Sequence, residues 1–245
     1  MYYLREYFHV PCYLELETQW LISRKILCRP GDLDIGLKEP DWDPNENDGK
    51  NMYPGYTVYK NPTVKNITSD KNGDEPCYVR MSVDILNSQG TPITDDQALN
   101  LIYKTIYFDK TFTGGYDKKE GKATGLIQDR IPGYNLAQLA AYPMVNPLWT
   151  KDTARSTASK LVFNYMGAKG DGILNIGEES TLFTNIAIPT DWNQTQMQKV
   201  GNYQLKVTAQ AIQSKGFATQ SEAYRMLDEE IKGGTLQEIR SAGVN

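Results

Sequence analysis

Catalysis needs particular side chains at particular spacings, and this chain of 245 residues offers few of them. Its single histidine, His9, stands alone in the N-terminal segment, which leaves no HExxH metalloprotease site and no His-based triad. No GxSxG elbow, GxxxxGK[ST] loop or GxGxxG turn follows a strand-like run. The three cysteines, Cys12, Cys28 and Cys77, are an odd number at spacings that suit neither a zinc knuckle nor a CxxC redox pair, so unpaired thiols are expected. Oxygen-rich loops remain. "DWDPNEND" offers Asp41, Asp43, Glu46 and Asp48, and "DGILNIGEE" offers Asp171, Glu178 and Glu179. Such clusters are weak Ca²⁺ candidates, Asp41, Asp43, Asp171 and Glu178 foremost. The second lacks the ligand ladder of an EF-hand, and a solvated loop is the favoured reading of both. No cofactor site is indicated. Asn66-Ile67-Thr68 and Asn193-Gln194-Thr195 match the N-glycosylation sequon, a pattern that also arises by chance.

Bulk properties narrow the classes further. A net charge of -4, with basic residues scattered, argues against nucleic acid as a partner. No run approaches the ~20 apolar residues of a membrane span, and Arg5, Glu6 and His9 interrupt any signal-like apolar stretch at the start. Sixteen tyrosines against six phenylalanines predict many half-exposed aromatic positions, as on a sheet with one wet face.

The elements that would carry these residues read as β. Residues 1–30 show no clean period and form an atypical N-terminal segment, read as a mis-called start or a non-native strand. From Gly31 the pattern alternates: Leu33, Ile35 and Leu37 inward, Asp32, Asp34, Gly36 and Lys38 outward. In "YPGYTVYKNPTVKN", Pro54 and Gly55 suit a type II turn. Tyr56, Val58 and Lys60 then alternate with Thr57, Tyr59, Asn61 and Thr63, and Pro62 demands an edge or a bulge. This run and "CYVRMSVDIL" predict a long hairpin around Asn66–Pro76. Capping boxes predict two helices, one capped by Thr94 with Gln97, the other by Thr219 with Glu222. A short helix is expected at "NLAQLAAY". "KLVFNYMG", "DGILNIGEESTLFTNIAIP" and "YQLKVTAQAIQ" supply at least four more strands, the first two joined by a Gly-Asp-Gly turn. The expected fold is all-β, an antiparallel sandwich with helices in its connections, one domain over 31–232 and a tail over 233–245.

Five runs, "GDLDIGLKEPDW", "YPGYTVYKNPTVKN", "EPCYVRMSV", "LFTNIAIP" and "YQLKVTAQAIQSKGFATQSEAY", come in an order that resembles the TasA/camelysin family across residues 31–226. These are exported proteins of Gram-positive bacteria, processed by a SipW-type signal peptidase. The resemblance implies a jelly-roll-like sandwich at the cell surface or in the biofilm matrix. It implies architectural roles for Gly31, Leu33, Ile35, Glu39, Trp42, Pro54, Gly55, Val64, Asn66, Tyr78, Val79, Arg80, Ala211, Gln213, Gly216 and Phe217. It also implies self-association into fibres, in which an N-terminal strand is donated to the next subunit. The chain departs from the family before Gly31, where "RKILCRP" replaces a "TFTVG"-like strand. The family's metalloprotease label finds no zinc-ligand set here.

Three functions are carried forward. A secreted, non-catalytic surface or extracellular-matrix structural protein leads. A surface module binding glycan or host protein through tyrosines or the Trp42 loop comes second, and a camelysin-like metalloprotease third.

Overall fold

The computed structural model describes residues 33–39, 52–68, 75–111 and 133–232 in full, and 20–26, 116–117 and 122–123 as backbone strands. In chain order the elements are β1 (Trp20–Ile26), β2 (Ile35–Lys38), β3 (Thr57–Tyr59), β4 (Thr63–Asn66), β5 (Cys77–Asn87), α1 (Asp96–Tyr103), β6 (Ile106–Tyr107), β7 (Tyr116–Asp117) and β8 (Lys122–Ala123). There follow α2 (Leu136–Leu139), β9 (Trp149–Lys151), β10 (Lys160–Tyr165), β11 (Ile173–Leu174), β12 (Glu179–Thr181), β13 (Asn185–Ala187), α3 (Gln194–Val200), β14 (Tyr203–Gln213) and α4 (Gln220–Lys232). The described chain is mainly β with short helices in the connections.

One six-stranded sheet dominates, in the order β1-β14-β5-β10-β9, with β11 beside the start of β5. β5 and β14 run antiparallel over their full length, from Tyr203 against Asn87 to Gln213 against Cys77. Two three-stranded sheets, β12-β4-β2 and β3-β13-β6, lie over its front face, and β7 pairs with β8. Period-2 side-chain alternation sets the layers. Val79, Met81, Val83 and Ile85 of β5 and Leu205, Val207 and Ala209 of β14 point forward into one core. Leu37 and Val64 from one small sheet and Val58, Ile186 and Ile106 from the other close that core, with Ile102 of α1. On the back, Tyr78 and Ile212 meet Ala223, Tyr224 and Leu227 of α4. The architecture is sandwich-like.

Several sequence expectations need correction. The run after the Pro-Gly turn is two strands, because Pro62 has no N–H to give a ladder; β3 and β4 enter different sheets on either side of it. Nor is there a hairpin from this run to "CYVRMSVDIL": β4 pairs with β2 and β12, while β5 belongs to the large sheet. Turn residues between two strands show that the chain reverses, without showing that the strands pair. The Gly-Asp-Gly turn does join β10 to β11, and both of these strands pair with β5 rather than with each other. The cap of α1 is Asp95, not Thr94; its carboxylate accepts from the N–H groups of Gln97 and Ala98 and is also paired with Lys199. Among the described tyrosines, Tyr59, Tyr103, Tyr134 and Tyr142 are half-buried and Tyr53 is exposed, while Tyr56, Tyr78, Tyr107, Tyr165, Tyr203 and Tyr224 fill the core. The half-exposed positions are thus present beside a larger buried set.

Candidate functional site

The Pro-Gly turn and Asn66 bracket the run that holds β3 and β4. Gly55 sits at φ +93° and the N–H of Tyr56 donates to the Tyr53 carbonyl at 2.8 Å, the geometry of a turn with a left-handed third residue. The turn packs against Gly133, where an added Cβ would lie 2.9 Å from the Gly55 Cα. At the other end of the run Asn66 is fully buried. Its Oδ1 accepts from the Thr68 N–H (3.1 Å) and hydroxyl (2.6 Å), closing the local turn that ends β4. Its Nδ2 donates to the carbonyls of Glu75 and Leu174, both at 3.1 Å, so one amide ties the small sheet to β11 of the large one. A side chain so enclosed cannot carry a glycan in the folded chain, whereas Asn193 of the second sequon is exposed and caps α3.

A second polar assembly lies on the back of the large sheet. Arg80 of β5, 5% exposed, reaches the Gln210 side chain at 2.6 Å and Asp228 of α4 at 2.6 Å. Arg155 meets the same Asp228 at 2.7 Å and Asp152 at 2.9 Å, and Asn164 donates to Asp152 at 3.1 Å. Burial pushes the Asp228 carboxyl upward, but hydrogen bonds from Arg155 and Arg80 outweigh it and hold the group below the usual carboxylate range. Asp152 is lowered as well: burial raises it, and Arg155 and Asn164 more than reverse that. The Tyr224 hydroxyl donates to the Val79 carbonyl at 2.6 Å, and its ring lies beneath the Arg80 guanidinium, 5.4 Å from centroid to Cζ. The cleft at this edge is also lined by Ser82, Lys160 and Lys232. Its charges are largely spent on one another, and their joint effect is to clamp α4 to the sheet.

The remaining candidates are dispersed. Leu33, Ile35, Val64, Val79 and Ala211 are core residues. Gln213 ends β14, Gly216 takes φ +94° in the turn that follows, and Phe217 packs against the α4 cluster. Glu39 is buried, its carboxylate 2.5 Å from the ammonium of a fully buried Lys60. Asp171 and Glu178 serve their own turns: Asp171 accepts from the Ile173 N–H, and Glu178 from the N–H and side chain of Asn175. Among the described residues no three His, Cys, Asp or Glu side chains are grouped to hold a metal ion. Gly31, Asp41, Trp42 and Asp43 lie outside the described residues. Cys77 is a buried free thiol whose pKa burial drives far up, which makes it a poor nucleophile. Sequence reasoning singled out Arg80 and Asn66 but not Asp228, Tyr224 or Lys60. Tyr224 lies three residues before Leu227 on the buried face of α4, and Lys60 continues the row of Tyr56 and Val58.

The outer edge of β14 is covered by a strand of unusual direction. β1 lies along it in parallel, Trp20 against Leu205 through Ile26 against Ala211, whereas every other pairing in the described sheets is antiparallel. No described helix is long and apolar enough to cross a membrane. The chain matches no protein-family model, no curated protein and no solved structure.

Proposed function

We propose that this chain is a non-catalytic structural protein, exported to the cell surface or extracellular matrix, whose jelly-roll-like sandwich assembles with further copies by exchange of an N-terminal strand. One observation carries the reading. A strand from the N-terminal segment completes an otherwise antiparallel sheet by lying parallel along β14. An edge with unpaired N–H and C=O groups accepts any strand of suitable pattern, from its own chain or the next, because main-chain bonds supply the affinity. The site chemistry agrees: the polar networks of Asn66 and Arg80 link strands and a helix, and they assemble no nucleophile with a base.

Cysteines placed at register partners Ser23 and Thr208, in a chain with Cys12 and Cys28 replaced by Ser, test this directly. Under mild oxidation, exchange gives a ladder of disulfide-linked multimers on a non-reducing gel. Monomers cross-linked only within themselves, at every protein concentration, would exclude exchange and with it the assembly role.

A further inference from the structure

Glu39 and Lys60 each continue an inward row of a strand. Leu33, Ile35 and Leu37 lead by alternation to Glu39, and Tyr56 and Val58 lead to Lys60. The rows are held by β2 against β4, with Lys38 opposite Thr63, and by the Lys60 N–H donating to the Thr184 carbonyl at 2.9 Å. Parity thus drives a carboxyl and an amine into the core, where their side chains are 1% and 0% exposed and the Lys60 Nζ sits 2.5 Å from Glu39 Oε2. The other carboxyl oxygen, Oε1, is buried without a hydrogen-bond partner.

A buried ion pair gains little over an apolar pair of the same volume, since desolvating both charges offsets their attraction. Burial is also the largest influence on Glu39 and raises its pKa, against the opposing effect of Lys60. In a dry interior such a pair approaches its neutral form, a carboxylic acid facing an uncharged amine. Those are the reactants of amide formation, held in contact, and effective molarities for well-oriented partners reach roughly 10⁵–10⁸ M.

We propose that Lys60 and Glu39 join in an intramolecular amide, a covalent staple between the end of β2 and the β3–β4 junction. The ammonium first passes a proton to the carboxylate. The neutral Nζ then adds to Cδ, forming the N–C bond, and the tetrahedral adduct breaks the C–Oε2 bond, releasing Oε2 with the carboxyl proton and a second nitrogen proton as a single water. No oxidant, reductant or cofactor enters. Exclusion of water from the core keeps the product from hydrolysing. The cross-link is independent of strand exchange, so a chain that never assembles would still carry it.

The test is mass spectrometry of the full chain, denatured and reduced. The expected intact mass is one water below that of the sequence. Trypsin should fail to cut after Lys60, leaving a branched peptide in which residues 39–50 are attached to residues 51–65. K60M and E39A should each return to the full sequence mass. An unmodified mass with complete cleavage after Lys60 would overturn the proposal. So would a deficit of one ammonia, which marks an amide side chain as the partner, or a deficit of one water that persists in either variant. The branched peptide of the unsubstituted chain decides the matter even where a variant does not fold.

Discussion

At the scale of single residues, position outweighs type. Asn66 is a common turn residue, yet here its amide serves two sheets at once, and removing it strands partners on both sides. Asn66→Ala should destabilise by roughly 1–3 kcal/mol for each buried group left unsatisfied, read from urea unfolding. Asn66→Asp should do worse, because it sets a carboxylate against the carbonyls of Glu75 and Leu174; an Asp variant as stable as the parent would refute the clasp. The Pro-Gly turn is tested at two points. Gly55→Val forces a β-branched residue to φ +93° and should cost roughly 1–3 kcal/mol. Gly133→Ala places a methyl 2.9 Å from the Gly55 Cα and from Thr190 Cγ2, so it should be equally harmful although its own backbone is unstrained. A neutral Gly133→Ala would mean that the two loops do not touch in solution.

At the scale of elements, α4 is the informative case. Its apolar face buries Leu227 against the sheet, and Leu227→Ala should cost roughly 2–5 kcal/mol by chemical denaturation. Its polar clamp adds a pH dependence of definite sign. Asp228 and Asp152 titrate lower when folded than when unfolded, so their contribution is complete above the unfolded carboxylate value of about 3.9 and fades as pH falls through the lowered values. Corrected for the intrinsic rate, hydrogen-exchange protection in 220–232 should therefore fall on acidification before protection in β5 does, and D228N should abolish that difference. An equal fall in both elements would show that the clamp does not set helix docking. Such elements were legible in proportion to how local their determinants are. β14 and β5 were readable because eleven residues of alternation leave little choice, and α4 because its cap and apolar face lie in one stretch. The pairing of strands was not readable, since a turn such as Asn66–Pro76 looks the same whether the chain returns alongside itself or crosses to another sheet. α3 was overlooked because Asn193, its cap, also begins a sequon. The charge network was half visible: the family resemblance pointed to Arg80, but nothing near it in sequence names Asp228.

At the scale of the whole molecule, β1 is the element whose membership is in question, because it holds the sheet by backbone pairing along one edge. A chain beginning at Gly31 should keep its β circular dichroism and bind a synthetic peptide of residues 20–26. Loss of folding on truncation would make β1 an integral strand and not an exchangeable one. The central pairing has a different implication. β5 is made early, while β14, its partner along every residue, lies near the end of the described chain. A growing polypeptide therefore leaves one edge of β5 unpaired from residue 87 until residue 203 is made, although β10 reaches the other edge sooner. Long-range pairing of this kind folds slowly and leaves open intermediates prone to aggregation. The interval works in two directions: a holding chaperone has a lasting target, and a pore that accepts only unfolded polypeptide has time to take the chain before β14 arrives.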